Sequence, residues 1–455
     1  MTNSFSLRLG LACIARSRFD YQAAHDVYRR SVAALKQFPN VEVIAPDDLI
    51  LDNPDNPTPG LIQNASSFFQ QAQVDALIIQ NGTFTLGDLT LDLVDRFSVP
   101  IVLWAPLEPD WTSGRLRLNS LVGLNVNSSH FYKIGRPFRY VVADPGDAMF
   151  QEEMGRIVRV LGVVRGLRRT KIALLGTRAQ GFFDLAFNEM ELRAKLGVEV
   201  VSVGLGEVFD MARALPAKQV DETKARVRSL IDDMSEVPPE KEDLQARAYI
   251  AMRQVAEQSN ASAVAVKCWP EFPFQYGVAA CSAVALINDD MVPGGCEGDL
   301  EGALTALIVQ RLANSIPFLA DVSALDRDKN ALLLWHNGCA ALRLAATRKH
   351  LFTHFQANRG LTVGFGLVPG RVTLTRLGND GKNLRLFATT GEALPTDMFI
   401  RGTLSWVKTD APVKRVLDEF IYGGWEHHLA MSYADLIADL EEFAAITAIP
   451  LTKVV

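Results

Sequence analysis

A chain of 455 residues is long enough for roughly three domains at about 150 residues each. With 48% hydrophobic and 22% charged residues, 32 Gly and 21 Pro, it can build sizeable cores, and collagen-like or low-complexity sequence is excluded. The 46 basic and 52 acidic residues net −6, so no basic field recruits nucleic acid, and no apolar run reaches the roughly 18 residues that span a membrane. Five cysteines without paired spacing argue against a disulfide framework and for a reducing compartment. The first twenty residues lack a basic region followed by an apolar stretch and a cleavage site, so a soluble cytoplasmic protein is expected.

The first third alternates apolar runs with helical patterns. Strands are expected at Ser6–Ile14, Val41–Ala45, Val74–Ile79 and Val99–Ala105, with a helix at Tyr21–Phe38. A polar turn stretch, Arg136–Asp147, precedes a long helix at Ala148–Leu167. The pattern then restarts with strands at Lys171–Leu175, Val198–Val203 and Ala263–Val266, and helices at Phe182–Leu196, Val220–Ser259 and Asp299–Leu312. Strands separated by helices imply βαβ units and parallel sheets. The last third reads differently: strands at Leu361–Leu367, Arg371–Leu377 and Asn383–Thr389, a turn at Gly378–Gly381, then helices at Ala411–Phe420 and Tyr433–Ile446. The expected architecture is two Rossmann- or flavodoxin-like α/β domains, 1–167 and 168–312, followed by a β-rich, antiparallel or barrel-like domain, 313–455.

Unusual local sequence gathers in the second and third of these. Lys267-Cys268-Trp269-Pro270-Glu271-Phe272 follows an apolar strand, at the carboxyl end where α/β sheets present their ligands. Pro293-Gly294-Gly295-Cys296-Glu297-Gly298-Asp299 is a Gly-rich turn opening an amphipathic helix. Asp321 ends the apolar run Phe318–Ala320, His336 follows Ala331–Trp335, and Gly423-Gly424-Trp425-Glu426 leads into the adjacent His427 and His428. Carboxylates and imidazoles at the ends of apolar segments suit a divalent cation with oxygen and nitrogen ligands. Each also has an ordinary structural reading: Glu297 favours a helix N-terminus, Asp321 a turn, the histidines satisfied burial, and Cys296 a small buried hydrophobe. The Gly-rich stretches carry neither a dinucleotide fingerprint nor a P-loop, so NAD and ATP are not expected.

The strings CWPEF, GGCEGDLEGALTALI, FLADVSALD, WHNG and GGWEHHLAMSYAD resemble signature blocks of the L-fucose/L-arabinose isomerase superfamily, most closely its fucose-isomerase-like branch. VDALIIQNGTF, VPIVLWAPLEP, GRPFRYVVAD and IALLGTRAQGFFD extend the likeness, in order, through most of the chain. The resemblance implies a homo-oligomer, trimer or hexamer, that interconverts aldoses and ketoses with Mn²⁺, or with Mg²⁺ or Co²⁺ in its place. It places metal ligands at Glu297, Asp321 and His428, with His336 either a further ligand or a substrate contact. Glu297 and Asp321 double as the acid/base pair for a cis-enediol route. It also implies that Phe84 and Trp104 reach a neighbouring subunit's site.

Substrate contacts are expected from Trp269, Glu271, Lys267 and His427. Arg16 and Arg18, after the first strand, are candidates for an anionic substrate group or for plain surface. The leading expectation is an isomerase of a pentose, deoxyhexose or modified hexose. The alternatives are an isomerase of a sulfonated, sulfoquinovose-type hexose and a non-catalytic sugar-binding protein.

Overall fold

Apolar runs such as Leu9–Ala15 and Ala76–Ile79 leave no polar face for water, so they assemble into parallel strands covered on both sides. The computed structural model describes residues 6–112, 114–354 and 359–455. It divides into two compact units, one running to Gly166 with Glu442–Ala448 added, the other comprising Leu167–Glu441 and Ile449–Val455. No helix among the described residues is long and apolar enough to cross a membrane.

The first unit contains β1 (Leu7–Arg16), α1 (Tyr21–Leu35), β2 (Val41–Ile44), β3 (Ile50–Asp52), α2 (Leu61–Gln71), β4 (Ala76–Asn81), α3 (Gly87–Val94), β5 (Ile101–Ala105), α4 (Ser120–Lys133), β6 (Arg139–Val142) and most of α5 (Ala148–Leu167). Its sheet is parallel in the order β2-β1-β4-β5-β6, with β3 also pairing β1. Asp20 caps α1 through the Ala23 amide, and the helix buries Ala24, Val27, Tyr28, Ser31, Ala34 and Leu35, a stripe at helical spacing. Glu442 belongs with this unit through its ion pair with Arg139, Nη2 to Oε1 at 2.7 Å. The stretch Arg136–Asp147, expected as a turn, holds β6, because Arg139–Val142 completes the sheet beside β5. Trp104 is fully buried, stacks on Phe150 at 5.0 Å and donates to the Ala143 carbonyl. Its ring is committed to its own core, which corrects the expectation that it reaches a neighbouring subunit.

The second unit continues with β7 (Lys171–Leu175), α6 (Glu189–Leu196), β8 (Glu199–Val203), α7 (Leu205–Ala214), α8 (Ala217–Leu230), α9 (Pro239–Gln258), β9 (Ala263–Val266), α10 (Cys281–Asp289), β10 (Gly294–Gly295) and α11 (Leu300–Ala313). Its four strands are parallel in the order β10-β9-β7-β8. The helix expected over Phe182–Leu196 begins only at Glu189, where Asn188 caps it through the Glu191 amide. The one expected over Val220–Ser259 is interrupted before Pro239, whose missing amide suits the first turn of α9.

The remaining strands are β11 (Phe318–Asp326), β12 (Ala331–His336), β13 (His350–Thr353), β14 (Leu361–Gly366), β15 (Gly370–Asn379), β16 (Leu384–Ala393), β17 (Thr403–Thr409), β18 (His428–Ser432) and β19 (Leu451–Val454). Helices α12 (Val413–Tyr422) and α13 (Ile437–Thr447) flank β18. Antiparallel pairing runs β17-β12-β11-β18-β15-β16, and β16 pairs β17 again, closing a six-stranded barrel. Strands β14 and β19 extend it by parallel pairing. This is the antiparallel, β-rich region expected from the sequence.

Candidate active site

Glu297 sits in the loop between β10 and α11, at the carboxyl end of the parallel sheet. Its backbone is left-handed (φ +63°), a conformation that costs about 1–3 kcal/mol outside glycine and persists only when neighbours enforce it. Three backbone hydrogen bonds do so: Gly298 N–H to the Val266 carbonyl at 2.9 Å, Asp299 N–H to Cys296 at 2.9 Å, and Ala179 N–H to Glu297 itself at 2.8 Å. Gly298 (φ +73°) is required, since a Cβ there would lie 2.3 Å from the Thr177 carbonyl oxygen.

The barrel supplies the other groups from three adjacent strands. Asp321 on β11 lies directly opposite His428 on β18 and opposite Trp335 on β12, whose next residue is His336. The register of β11 shifts between Val322 and Ala324, an irregularity of the kind that re-aims side chains beside functional sites. His428 Nε2 faces Asp321 Oδ1 at 3.4 Å and Glu297 Oε2 at 3.8 Å. Its Nδ1 is held by Asp299 Oδ2 at 2.9 Å. The rings of His336 and His428 are 5.3 Å apart. His427 bridges two carboxylates, Nε2 to Glu297 Oε2 at 3.0 Å and Nδ1 to Asp184 Oδ2 at 2.6 Å.

Behind His428 lies a fully buried charge network. Asp299 caps α11 through the Gly302 amide and takes a bidentate contact from Arg376, at 2.5 and 2.9 Å. Arg376 also faces Glu426 at 3.4 Å, and Glu426 accepts from the Asn379 amide. Burial disfavours the charge on Asp299, but Arg376 and the His428 hydrogen bond outweigh it and hold the carboxyl well below its usual range. Burial likewise opposes charge on Glu297, and the His427 hydrogen bond with the surrounding imidazoles keeps it lowered. For His427 burial acts downward, while Glu297 and Asp184 raise it to about 9.

A divalent cation fits this donor set. His428 is 0% exposed, yet its Nε2 has no hydrogen-bond partner, and neither ring nitrogen of the buried His336 has one. Buried polar atoms are normally satisfied, so these orphans face a position a cation would fill. Glu297, His427 and His428 present donor atoms within 4.8 Å of one another, and so do Asp321, His336 and His428. An imidazole oriented by a carboxylate on its other nitrogen is the usual setting of a metal ligand.

Four of the expected site residues thus converge with His427. The other expected contacts are placed differently. Lys267 and Glu271 pair with each other at 2.5 Å at the end of β9. Trp269 is 40% exposed and meets Phe274 edge-on at 5.1 Å. Arg16 and Arg18 belong to the first unit, where they face Asp52 at 3.5 Å and Asp55 at 2.5 Å. The sequence reading left Asp184, Asp299 and Arg376 without roles. Arg376 carried the one available signal, an arginine inside the run Val372–Leu377 that otherwise reads as a buried strand.

No protein-family model matches the chain. A sulfoquinovose isomerase of Alkalicoccus urumqiensis is 32% identical over 387 residues, covering 84% of this chain and 86% of that protein. One from Priestia aryabhattai is 29% identical over 433 residues, covering 94% and 95%. One from Clostridium sp. (strain MSTE9) is 28% identical, covering 93% of each. These names support the expected sugar isomerase, set aside the non-catalytic binder, and favour the sulfonated-hexose alternative over the pentose or deoxyhexose reading. The chain belongs to the family of these sulfoquinovose isomerases and is an aldose–ketose isomerase.

Proposed function

We propose that the protein interconverts sulfoquinovose, or a closely related sulfonated hexose, with its 2-ketose at the Glu297/Asp321/His428/His336 cluster. The buried His428, with its unpartnered Nε2 turned toward Glu297 and Asp321, supports this placement. The substrate class rests on the relatives. Mn²⁺, with Mg²⁺ or Co²⁺ as substitutes, suits the hard oxygen and imidazole donors. When bound, such an ion polarises the sugar carbonyl and the neighbouring hydroxyl.

The chain's own groups then move protons. Aldose-to-ketose conversion removes the proton on C2, returns one to C1, and shifts the hydroxyl proton from O2 to O1 through a cis-enediol. Glu297, kept ionised and oriented by His427, is suited to take the C2 proton, and Asp321 to handle the hydroxyl protons. Such positioned acid/base groups contribute about 10²–10⁴-fold. The sulfonate needs a cation. Arg178 borders the Glu297 loop through the Ala179–Glu297 backbone bond, rests 4.8 Å over the Phe183 ring, and has no ion-pair partner among the described residues. Lys267 is already paired.

The test is an assay of the purified protein on sulfoquinovose, L-fucose and L-arabinose, with chelator and after Mn²⁺ is restored. Turnover of sulfoquinovose that disappears with chelator and returns with Mn²⁺ is expected, while turnover confined to the neutral sugars overturns the substrate class. Glu297→Gln is expected to lower turnover by about 10²–10⁴-fold with an unchanged circular dichroism spectrum. Near-normal activity in that variant removes Glu297 from the mechanism.

A further inference from the structure

Four of the five cysteines meet beside the site just described. Cys281, Cys296 and Cys339 belong to one buried cluster, and Cys268 packs against it. The sulfurs of Cys296 and Cys339 and a ring nitrogen of His336 lie within 4.8 Å of one another. The fifth cysteine, Cys13, is in the core of the first unit.

Buried cysteines usually serve as small apolar side chains. Two observations go beyond that. The thiols of Cys296 and Cys339 come from separate segments, the β10–α11 loop and the turn after β12, yet they meet at one imidazole. The imidazole among them is 3% exposed and leaves both ring nitrogens without a hydrogen-bond partner. His336 lies between two donor sets of opposite character, the carboxylates and His428 on one side and the thiols on the other. Hard oxygen donors favour Mn²⁺-class ions, whereas thiolates select softer ones.

We propose that Cys296, Cys339 and His336 form a second, soft-metal site that takes a Zn²⁺-class ion. Two thiolates and one imidazole supply three of the four positions of a tetrahedral ion, whose metal–sulfur bonds are about 2.3 Å long. The ion displaces the thiol protons as it binds. Because His336 faces both sets, capture of zinc draws this ring away from the carboxylates. The site is independent of the sugar that the enzyme uses.

The experiment titrates Cd²⁺ into the full-length protein held in excess Mn²⁺, so that the carboxylate site is already supplied. The expected result is thiolate-to-metal charge-transfer absorption in the ultraviolet that saturates at one equivalent per chain and is displaced by Zn²⁺. Cys296→Ser and Cys339→Ser are each expected to lose it, and Cys13→Ser to retain it. Absence of the absorption in the native chain, or its full amplitude in the Cys296→Ser/Cys339→Ser double variant, overturns the proposal. A second measurement does not depend on the variants folding. In dilute denaturant, where transient opening exposes buried thiols, Zn²⁺ is expected to slow alkylation of Cys296 and Cys339 relative to Cys13, read by mass spectrometry, and equal rates with and without Zn²⁺ overturn the site.

Discussion

Asp299 shows how much of the site depends on a residue that need not touch the sugar. One carboxylate caps α11, neutralises the buried Arg376 and fixes the ring of His428. Its neighbour Glu301 is a different case. Burial, against the opposing charge of Arg376, pushes its carboxyl up to about 8. An unfolded glutamate titrates near about 4.3. The folded value is raised, so its contribution is fully present below the unfolded value and lost as pH rises through about 8. Thermal melts of Glu301→Gln should therefore exceed the native chain at pH 8.5, with the gain shrinking toward pH 5. A pH-independent difference would place the cause elsewhere. For Arg178 the expected outcome is a split in the kinetics: Arg178→Gln raises KM for a sulfonated sugar with little change in kcat. An unchanged KM removes it from sulfonate recognition. Glu297, Asp321, His336 and His428 could be singled out in the sequence because Asp321 and His336 end apolar runs, Glu297 lies in a Gly-rich turn and His428 closes the Gly423–His427 stretch. Asp184 could not, because it sits in the irregular segment before α6 and reaches His427 only through the fold.

At the level of elements, the parallel strands were legible because strands buried on both faces read as unbroken apolar runs. Helix α10 was not, since all of Cys281–Asp289 is buried and no polar face marks a helical period. β10 has only two residues and β6 opens with an arginine, so neither stands out before its neighbours are known. The β10–α11 loop, by contrast, advertises itself through its glycines, and one of them has a sharp requirement. Gly298→Ala adds a Cβ where the Thr177 carbonyl already lies and imposes a left-handed backbone on alanine. It is expected to cost at least about 1–3 kcal/mol in chemical denaturation and to displace Glu297. A variant with native stability and activity would mean the loop is held by other contacts.

For the whole molecule, the large apolar side chains that remain at the surface include Trp111, Tyr132, Tyr140 and Ile134 of the first unit, between 55% and 83% exposed. Such exposure accords with the homo-oligomer implied by the resemblance, and light scattering is expected to give the mass of a trimer or hexamer. A monomer at working concentration would contradict it. A barrel-like region was expected, but its closing seam was not legible, because β17 is not among the strands expected from the sequence. That closure also bears on the chemistry. In an open sheet, a strand that slips by one residue against its neighbour turns its side chains to the other face. In a ring of six strands such a slip must be matched at a second seam, so the opposition of Asp321 and His428 is enforced from both directions around the barrel. Asp321 and His428 are thereby held in register by the closed ring, and repacking on one side of it leaves their separation unchanged.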